Sequence, residues 1–316
     1  MSYARIAKAV SETPWAITRD KLDEIEAVLT FHMEGNKFTP EELRARFGEP
    51  QPVQPAKRGA IAVIPLQGVI SHRIGGMTEM SGGMSTERFA QMFRQAMADE
   101  SVSAIVADVD SPGGTIAGVT ELHAEIMRAR GQKKLYAHIN GLGASAAYWI
   151  ASAFDEIWAT PSATVGAIGI IASHIDTSKA DEKDGITRTT FSAGKFKAEG
   201  HGPLTDEAKA AMQARIDEAY AVMTGDIGGA RGIDPGVVRE GYGEGRVVSA
   251  KSAKKLAMID KIGTFDELVG KIAGRRGVAA GMRAEDEAPE IVAEAPAGSV
   301  TATSNDTELR DRLERF

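Results

Sequence analysis

The 316-residue chain is 43% hydrophobic and 26% charged, ordinary values for a globular protein with a sizeable core, and 37 basic against 44 acidic side chains give a formal net charge of −7. That balance argues against a broad basic surface, and with it against nucleic acid as the main partner. The absence of cysteine excludes disulfides, thiolate metal sites and a cysteine nucleophile, and fits a reducing compartment, so the cytoplasm is the expected location.

From the N-terminus, Met1 to Lys8 lacks the apolar stretch and small-residue cleavage site of a secretory signal. Residues 1–50 read as a small helical segment. Thr18 or Asp20 can cap a helix carrying Leu22, Ile25, Val28 and Leu29 at helical spacing, and Pro40 with Glu41 and Glu42 opens a second one through Leu43 and Phe47. Residues 51–59, with Pro52 and Pro55, read as a linker. The main domain is expected over 60–277. It begins with Ala60 to Leu66, a short apolar run bounded by Gly59 and Gly68 and so a buried strand. His72 to Ser85, rich in Gly and Met, reads as a mobile or partner-facing loop.

Ser85-Thr86-Glu87 opens a helix through Met92, Phe93 and Met97, and Ala104 to Val109 is the next strand, running into Asp110-Ser111-Pro112-Gly113-Gly114. With a helix from Ile116 to Arg130 close behind, backbone N–H groups at that turn are left unpaired and point outward, where they can hold an oxyanion. The same glycine pair is also the chemistry of a plain tight turn.

Lys134 to Ile139 is the strand that delivers Asn140-Gly141-Leu142-Gly143-Ala144-Ser145-Ala146-Ala147-Tyr148-Trp149. Ser145, flanked by Ala144, Ala146 and Ala147, can sit where a tight turn enters a helix, with nothing bulky to keep a carbonyl from its hydroxyl. It reads as a nucleophile, although small residues also let two backbones pack closely. Residues 135–154 carry no formal charge, yet His138, Asn140, Gly141, Gly143, Ser145 and Ser152 make the run too polar and broken for lipid, so no membrane span is expected.

Glu156 to Ala159, Gly166 to Ile171 and Ile186 to Phe191 continue the strands. Thr205-Asp206-Glu207 caps a long amphipathic helix, and shorter helices follow near 235–240, 250–257 and 265–272. The repeated strand, turn and helix specify an α/β domain with mainly parallel strands. Over 278–316 the composition turns to Ala, Glu, Pro, Ser and Thr, which cannot bury a core. A disordered acidic tail is expected there, with 307–316 as a short interaction helix.

A serine hydroxyl is a poor nucleophile until a base takes its proton. His32, His72, His123, His138, His174 and His201 show no telling spacing to Ser145 or Asp110. Lysine is the better candidate: in Ser192-Ala193-Gly194-Lys195-Phe196-Lys197-Ala198 two lysines sandwich Phe196. An ammonium becomes a base near neutral pH only if desolvation lowers its pKa from about 10.4 by several units. In an extended segment Lys195 and Lys197 point the same way, so periodicity does not choose between them.

Ser111-Pro112-Gly113-Gly114, Ala144-Ser145-Ala146-Ala147-Tyr148, Gly194-Lys195-Phe196-Lys197, and Gly245-Arg246-Val247-Val248 followed by Ala253-Lys254-Lys255-Leu256 occur in the order and spacing of the signal peptide peptidase A (protease IV) family. The chain resembles that family over roughly residues 60–273. Within it the chain looks most like the phage head maturation proteases of the lambda type, and Pro14-Trp15-Ala16-Ile17 resembles prophage-encoded members. The resemblance implies a Clp protease/crotonase fold, a spiral of ββα units. It also implies Ser145 as nucleophile, Lys197 as general base, and an oxyanion hole at the N–H groups of Gly113, Gly114 and Ala146, with no metal or organic cofactor. It further implies a homo-oligomer, whose Ser–Lys dyad can lie within one subunit or be shared between two, and capsid, portal or scaffold proteins, or the chain's own tail, as substrates. Two residues depart from the family: Ala146-Ala147 replace a Gly-Gly pair, and Ala167 stands where a serine orients the lysine, leaving Thr164 or water to substitute. Two other readings compete, a soluble peptidase that degrades signal peptides and a catalytically silent crotonase-fold binding or scaffold protein.

Overall fold

The computed structural model describes residues 10–33, 55–73, 83–183, 185–187, 189–198 and 202–274, together with Thr39 and Glu42. In chain order the elements are β1 (Trp15–Ile17), α1 (Arg19–Met33), β2 (Ala56–Arg58), β3 (Ile61–Gln67), β4 (Ile70–Ser71), β5 (Met84–Ser85), α2 (Thr86–Ala98), β6 (Ala104–Ser111), β7 (Gly113–Thr115), α3 (Val119–Ala129), β8 (Lys134–Ala144), α4 (Ala146–Ser152), β9 (Glu156–Ala159), β10 (Thr164–Gly166), α5 (Ser178–Lys183), α6 (Asp206–Arg231), α7 (Pro235–Gly241), β11 (Val247–Ser249), α8 (Ala250–Lys255), β12 (Lys261–Ile262) and α9 (Phe265–Ile272). Twice the chain lays a strand in the larger sheet, then short strands in the smaller one, then a helix, as in β6-β7-α3. This is the ββα order expected from the resemblance.

The larger sheet runs β11-β10-β8-β6-β3-β2, and the smaller one β1-β7-β4-β5. The central strands β3, β6 and β8 are parallel. Because both faces of these strands are covered, they read as nearly continuous apolar runs, and alternation sorts their side chains. Ile64, Leu66, Ile105, Ala107, Val109, Leu135, Ala137 and Ile139 face the main core, with Phe89 and Phe93 of α2 and Leu122 and Ile126 of α3. Ile61, Val63, Ala104, Val106 and Tyr136 face the other way, onto Leu268 of α9. The edge of β8 forks. Tyr136 to Ile139 pair with β9, and Leu142 to Ala144 pair with β10, so the end of β8 is held apart from β9 just before Ser145.

The helix caps follow the sequence: Ser85 accepts from Arg88 N–H, Thr205 from Ala208 N–H, and Thr264 forms a reciprocal capping box with Glu267. The uncharged run at 135–154 is a sheet strand followed by a seven-residue buried helix. Among the described residues no helix is long and apolar enough to cross a membrane.

Several expectations change. Gly113 and Gly114 do not lead straight into a helix: they form β7, and α3 begins only at Val119. Lacking side chains, they let three strands crowd together, since a Cβ on Gly114 would lie 1.8 Å from the Ile70 carbonyl oxygen. The strand expected over Gly166 to Ile171 ends at Gly166, where φ values of 126° at Gly166 and 50° at Ala167 turn the chain out of the sheet. Ile186 to Phe191 forms no strand over its described residues. Phe191 is 91% exposed, and its β-branched neighbours have no partner strand to pack against. The N-terminal segment is not purely helical, because Trp15–Ile17 forms β1, and the end of the expected linker pairs with β3 as β2. The expected second N-terminal helix, apart from Glu42, most of the loop at 72–85, and the 278–316 tail lie outside the described residues.

Candidate active site

Ser145 stands alone between β8 and α4 with φ 54° and ψ −118°, a conformation that costs a non-glycine residue of order 1–3 kcal/mol. The chain must turn from strand to helix within one residue, and fully buried Ala144, Ala146 and Ala147 leave room for that turn. The Ser145 N–H donates to the Gly166 carbonyl at 2.6 Å, the Trp149 N–H donates to the Ser145 carbonyl at 2.9 Å, and Oγ donates to the Gly169 carbonyl at 3.5 Å. Ala146 is the first residue of α4, so its N–H has no acceptor within the helix.

The turn is braced from several sides. β11 pairs with β10, and the Arg246 carbonyl accepts from Ala167 N–H at 2.8 Å, so the Gly245-Arg246-Val247-Val248 motif supports the peptide that accepts the serine's N–H. Trp149 Nε1 donates to Asp226 at 3.0 Å and the Tyr148 hydroxyl to the Met258 carbonyl at 2.9 Å. The Arg130 guanidinium donates to the carbonyls of Ser152, Ala153, Phe154 and Ala230, tying the end of α4 to α6. Beneath it the Ser152 hydroxyl donates to the Trp149 carbonyl at 2.7 Å and meets His123 Nε2 at 3.2 Å. Burial, with Arg130 nearby, pushes the His123 pKa down to about 4, which keeps that imidazole neutral.

The glycine pair lies against the serine. Gly113 has φ 98°, and a Cβ built on it would be 3.0 Å from the Ser145 Cβ and 2.2 Å from the Ala16 carbonyl oxygen. Gly113 N–H donates to Ser111 Oγ at 3.1 Å, and that hydroxyl donates to the Gly68 carbonyl at 2.6 Å. Gly113's amide is therefore used inside its own turn, and Gly114 carries the next amide along β7.

The two lysines are placed differently from an extended segment. Residues 193–198 bend and turn, with Lys197 N–H donating to the Gly194 carbonyl at 3.1 Å, so the alternation premise does not apply. Lys195 pairs with Glu207 at 2.9 Å and lies 4.5 Å from the Phe196 ring centroid. Both lysines and Phe196 are exposed, and in the single chain no hydrogen bond joins Lys197 to Ser145. The described histidines go elsewhere: His138 Nε2 meets the Gly263 carbonyl, His174 bridges Glu12 and Gly202, and His72 meets Thr86. Sequence reasoning assigned no role to Trp15–Ile17, which the structure places beside β7. The only signal was the likeness of Pro14 to Ile17 to prophage members.

Ser145 is thus a buried serine on a strained strand-to-helix elbow, set beside the glycine strand β7. Residues 128–279, a little under half of the chain, match the model of peptidase family S49. It is 36% identical over 161 residues to the head-tail preconnector protein GP5 of Enterobacteria phage P21, covering 50% of this chain and 32% of that one. It is 27% identical over 255 residues to the capsid assembly protease C of Escherichia phage lambda, covering 80% and 56%. Protease 4 of Salmonella typhi is 30% identical over 222 residues, 68% of this chain and 34% of the relative. The chain thus spans between about a third and rather more than half of these relatives' lengths.

Proposed function

We propose that the chain is a serine endopeptidase in which Ser145 is the nucleophile and Lys197 the general base. The observation that carries this reading is the strained, fully buried Ser145 elbow facing the Gly113-Gly114 strand. Lys197 removes the Ser145 proton as Oγ attacks a peptide carbonyl. The resulting oxyanion is held by the N–H groups of Gly114 and Ala146, each such donor contributing roughly 3–4 kcal/mol to the step. The proton passes to the leaving amine, and water then hydrolyses the acyl-enzyme. Gly113 shapes the hole rather than donating to it, since its N–H is held by Ser111.

Lys197 reaches Ser145 when its exposed segment folds over the bound peptide or is supplied by a neighbouring copy in a homo-oligomer. Either arrangement provides the desolvation that the isolated segment lacks. With Ala167 in place of a lysine-orienting serine, Thr164 or a water takes that part. The phage relatives support coat, portal or scaffold proteins as substrates, inside a host cell or procapsid. The likeness to a putative signal peptide peptidase of Enterococcus faecium supports the competing choice of signal peptides.

The test is labelling by a fluorophosphonate probe, followed by mass spectrometry of the modified peptide. Adduct on Ser145 in the wild type and none in Ser145→Ala is the expected result. An unlabelled wild type that binds peptides would make it a silent binding protein.

A further inference from the structure

We propose that the N-terminal strand β1 fills the groove in which this site takes its substrate backbone, so that the chain carries its own competitive inhibitor; the inference rests on Ser145 being the nucleophile. β1 ends the smaller sheet, and its outer side meets a single bridging residue. On one side Trp15 exchanges both backbone hydrogen bonds with Ile171, at 2.8 and 2.9 Å. On the other side β1 runs antiparallel to β7, with Trp15, Ala16 and Ile17 opposite Thr115, Gly114 and Gly113. Successive residues of a strand turn their N–H and C=O groups to opposite sides. With Trp15 committed to Ile171, Ala16 therefore faces Gly114, and the Thr18 N–H to Pro112 carbonyl bond at 3.0 Å confirms that phase.

The consequence is chemical. The Ala16 carbonyl is aimed at the Gly114 amide, the donor assigned to the oxyanion, and lies close over Gly113, which itself abuts Ser145. The segment bridged to Trp15 also reaches the site, because the carbonyl of Gly169, two residues before Ile171, accepts from the Ser145 hydroxyl at 3.5 Å. An extended peptide awaiting attack needs the same things: a backbone hydrogen-bonded along a strand and a carbonyl against the hole. Ala16 is fully buried there. The strand is anchored from behind, as Trp15 and Ile17 pack with Val10, Leu22 and Leu29, Trp15 Nε1 donates to the Val10 carbonyl at 2.7 Å, and Ser173 N–H donates to the Ser11 carbonyl at 2.7 Å. Substrate and β1 cannot occupy the groove together, so β1 must leave for turnover.

The absence of native cysteine allows a reversible lock. Trp15 and Thr115 form a non-hydrogen-bonded antiparallel pair, with Cα atoms ~4.5 Å apart, within disulfide range. The full-length Trp15→Cys/Thr115→Cys variant is compared oxidised and reduced, by fluorophosphonate labelling of Ser145 and by fluorescence polarisation with a labelled peptide copying residues 12–20. The reduced form is expected to label and to bind the peptide at least tenfold better than the oxidised form. Equal labelling and equal binding in the two forms, or failure of the disulfide to form in folded protein, overturns the proposal. Peptide binding that follows the lock while neither form labels would sustain the filled groove and instead overturn Ser145 as nucleophile.

Discussion

Gly113 and Ser145 face each other so closely that a single methyl on the glycine would come within 3.0 Å of the serine Cβ. Gly113→Ala places that methyl 2.2 Å from the Ala16 carbonyl oxygen as well, on a residue whose φ of 98° already disfavours a side chain. We expect at least a hundredfold slower fluorophosphonate labelling and a stability loss of about 2–4 kcal/mol. Gly59→Ala is the control, since its φ is also positive at 63° but nothing lies within 4 Å of the added carbon. It should cost about 1 kcal/mol in urea unfolding and leave labelling unchanged. Equal losses in the two variants would show that the contact with Ser145 is not what matters.

The elbow itself stores strain. Ser145→Gly relieves the positive φ and Ser145→Ala does not, while both remove the hydroxyl. Glycine should therefore leave the protein about 1 kcal/mol more stable than alanine, with neither variant labelled. An alanine variant as stable as the glycine one would mean that the backbone at Ser145 is relaxed in solution.

Lys195 and Lys197 separate by partner. Lys195 makes an exposed ion pair with Glu207, the kind that contributes 0–1 kcal/mol, so Lys195→Ala should label within a few-fold of wild type. Lys197→Ala should lose at least a thousandfold in peptide hydrolysis. Mixing Ser145→Ala with Lys197→Ala protein should restore part of the rate if the dyad is shared between copies. A mixture as inactive as either parent, from protein that assembles normally, would confine the dyad to one chain.

His123 predicts a pH dependence. Its pKa falls from 6.5 in the unfolded chain to about 4 in the fold because burial disfavours the imidazolium. The unfolded state therefore binds more protons between these values, so the stabilisation is complete above about pH 6.5 and is lost as pH falls toward 4, by at most about 3 kcal/mol. His123→Gln should flatten the difference between urea unfolding at pH 7.5 and pH 4.5. Parallel pH dependences for wild type and variant would rule out His123 as its source.

The strands β3, β6, β8 and β9 and the helices opened by Ser85, Thr205 and Thr264 were legible because apolar runs and caps are local signals. Ser145 was legible for the same reason: only small residues allow a one-residue elbow, and its alanine neighbours spell that out. The sequence by itself thus determined an α/β fold with a serine at the end of its central strand. Tertiary structure decided what surrounds that serine. β7, the pairing of Trp15 with Ile171, and the support of Gly166 by Arg246 join residues 70 to 160 positions apart or set a glycine pair beside a third strand. Backbone hydrogen bonds of that kind leave no periodicity in the chain, because they depend on N–H and C=O groups that every residue but proline carries alike.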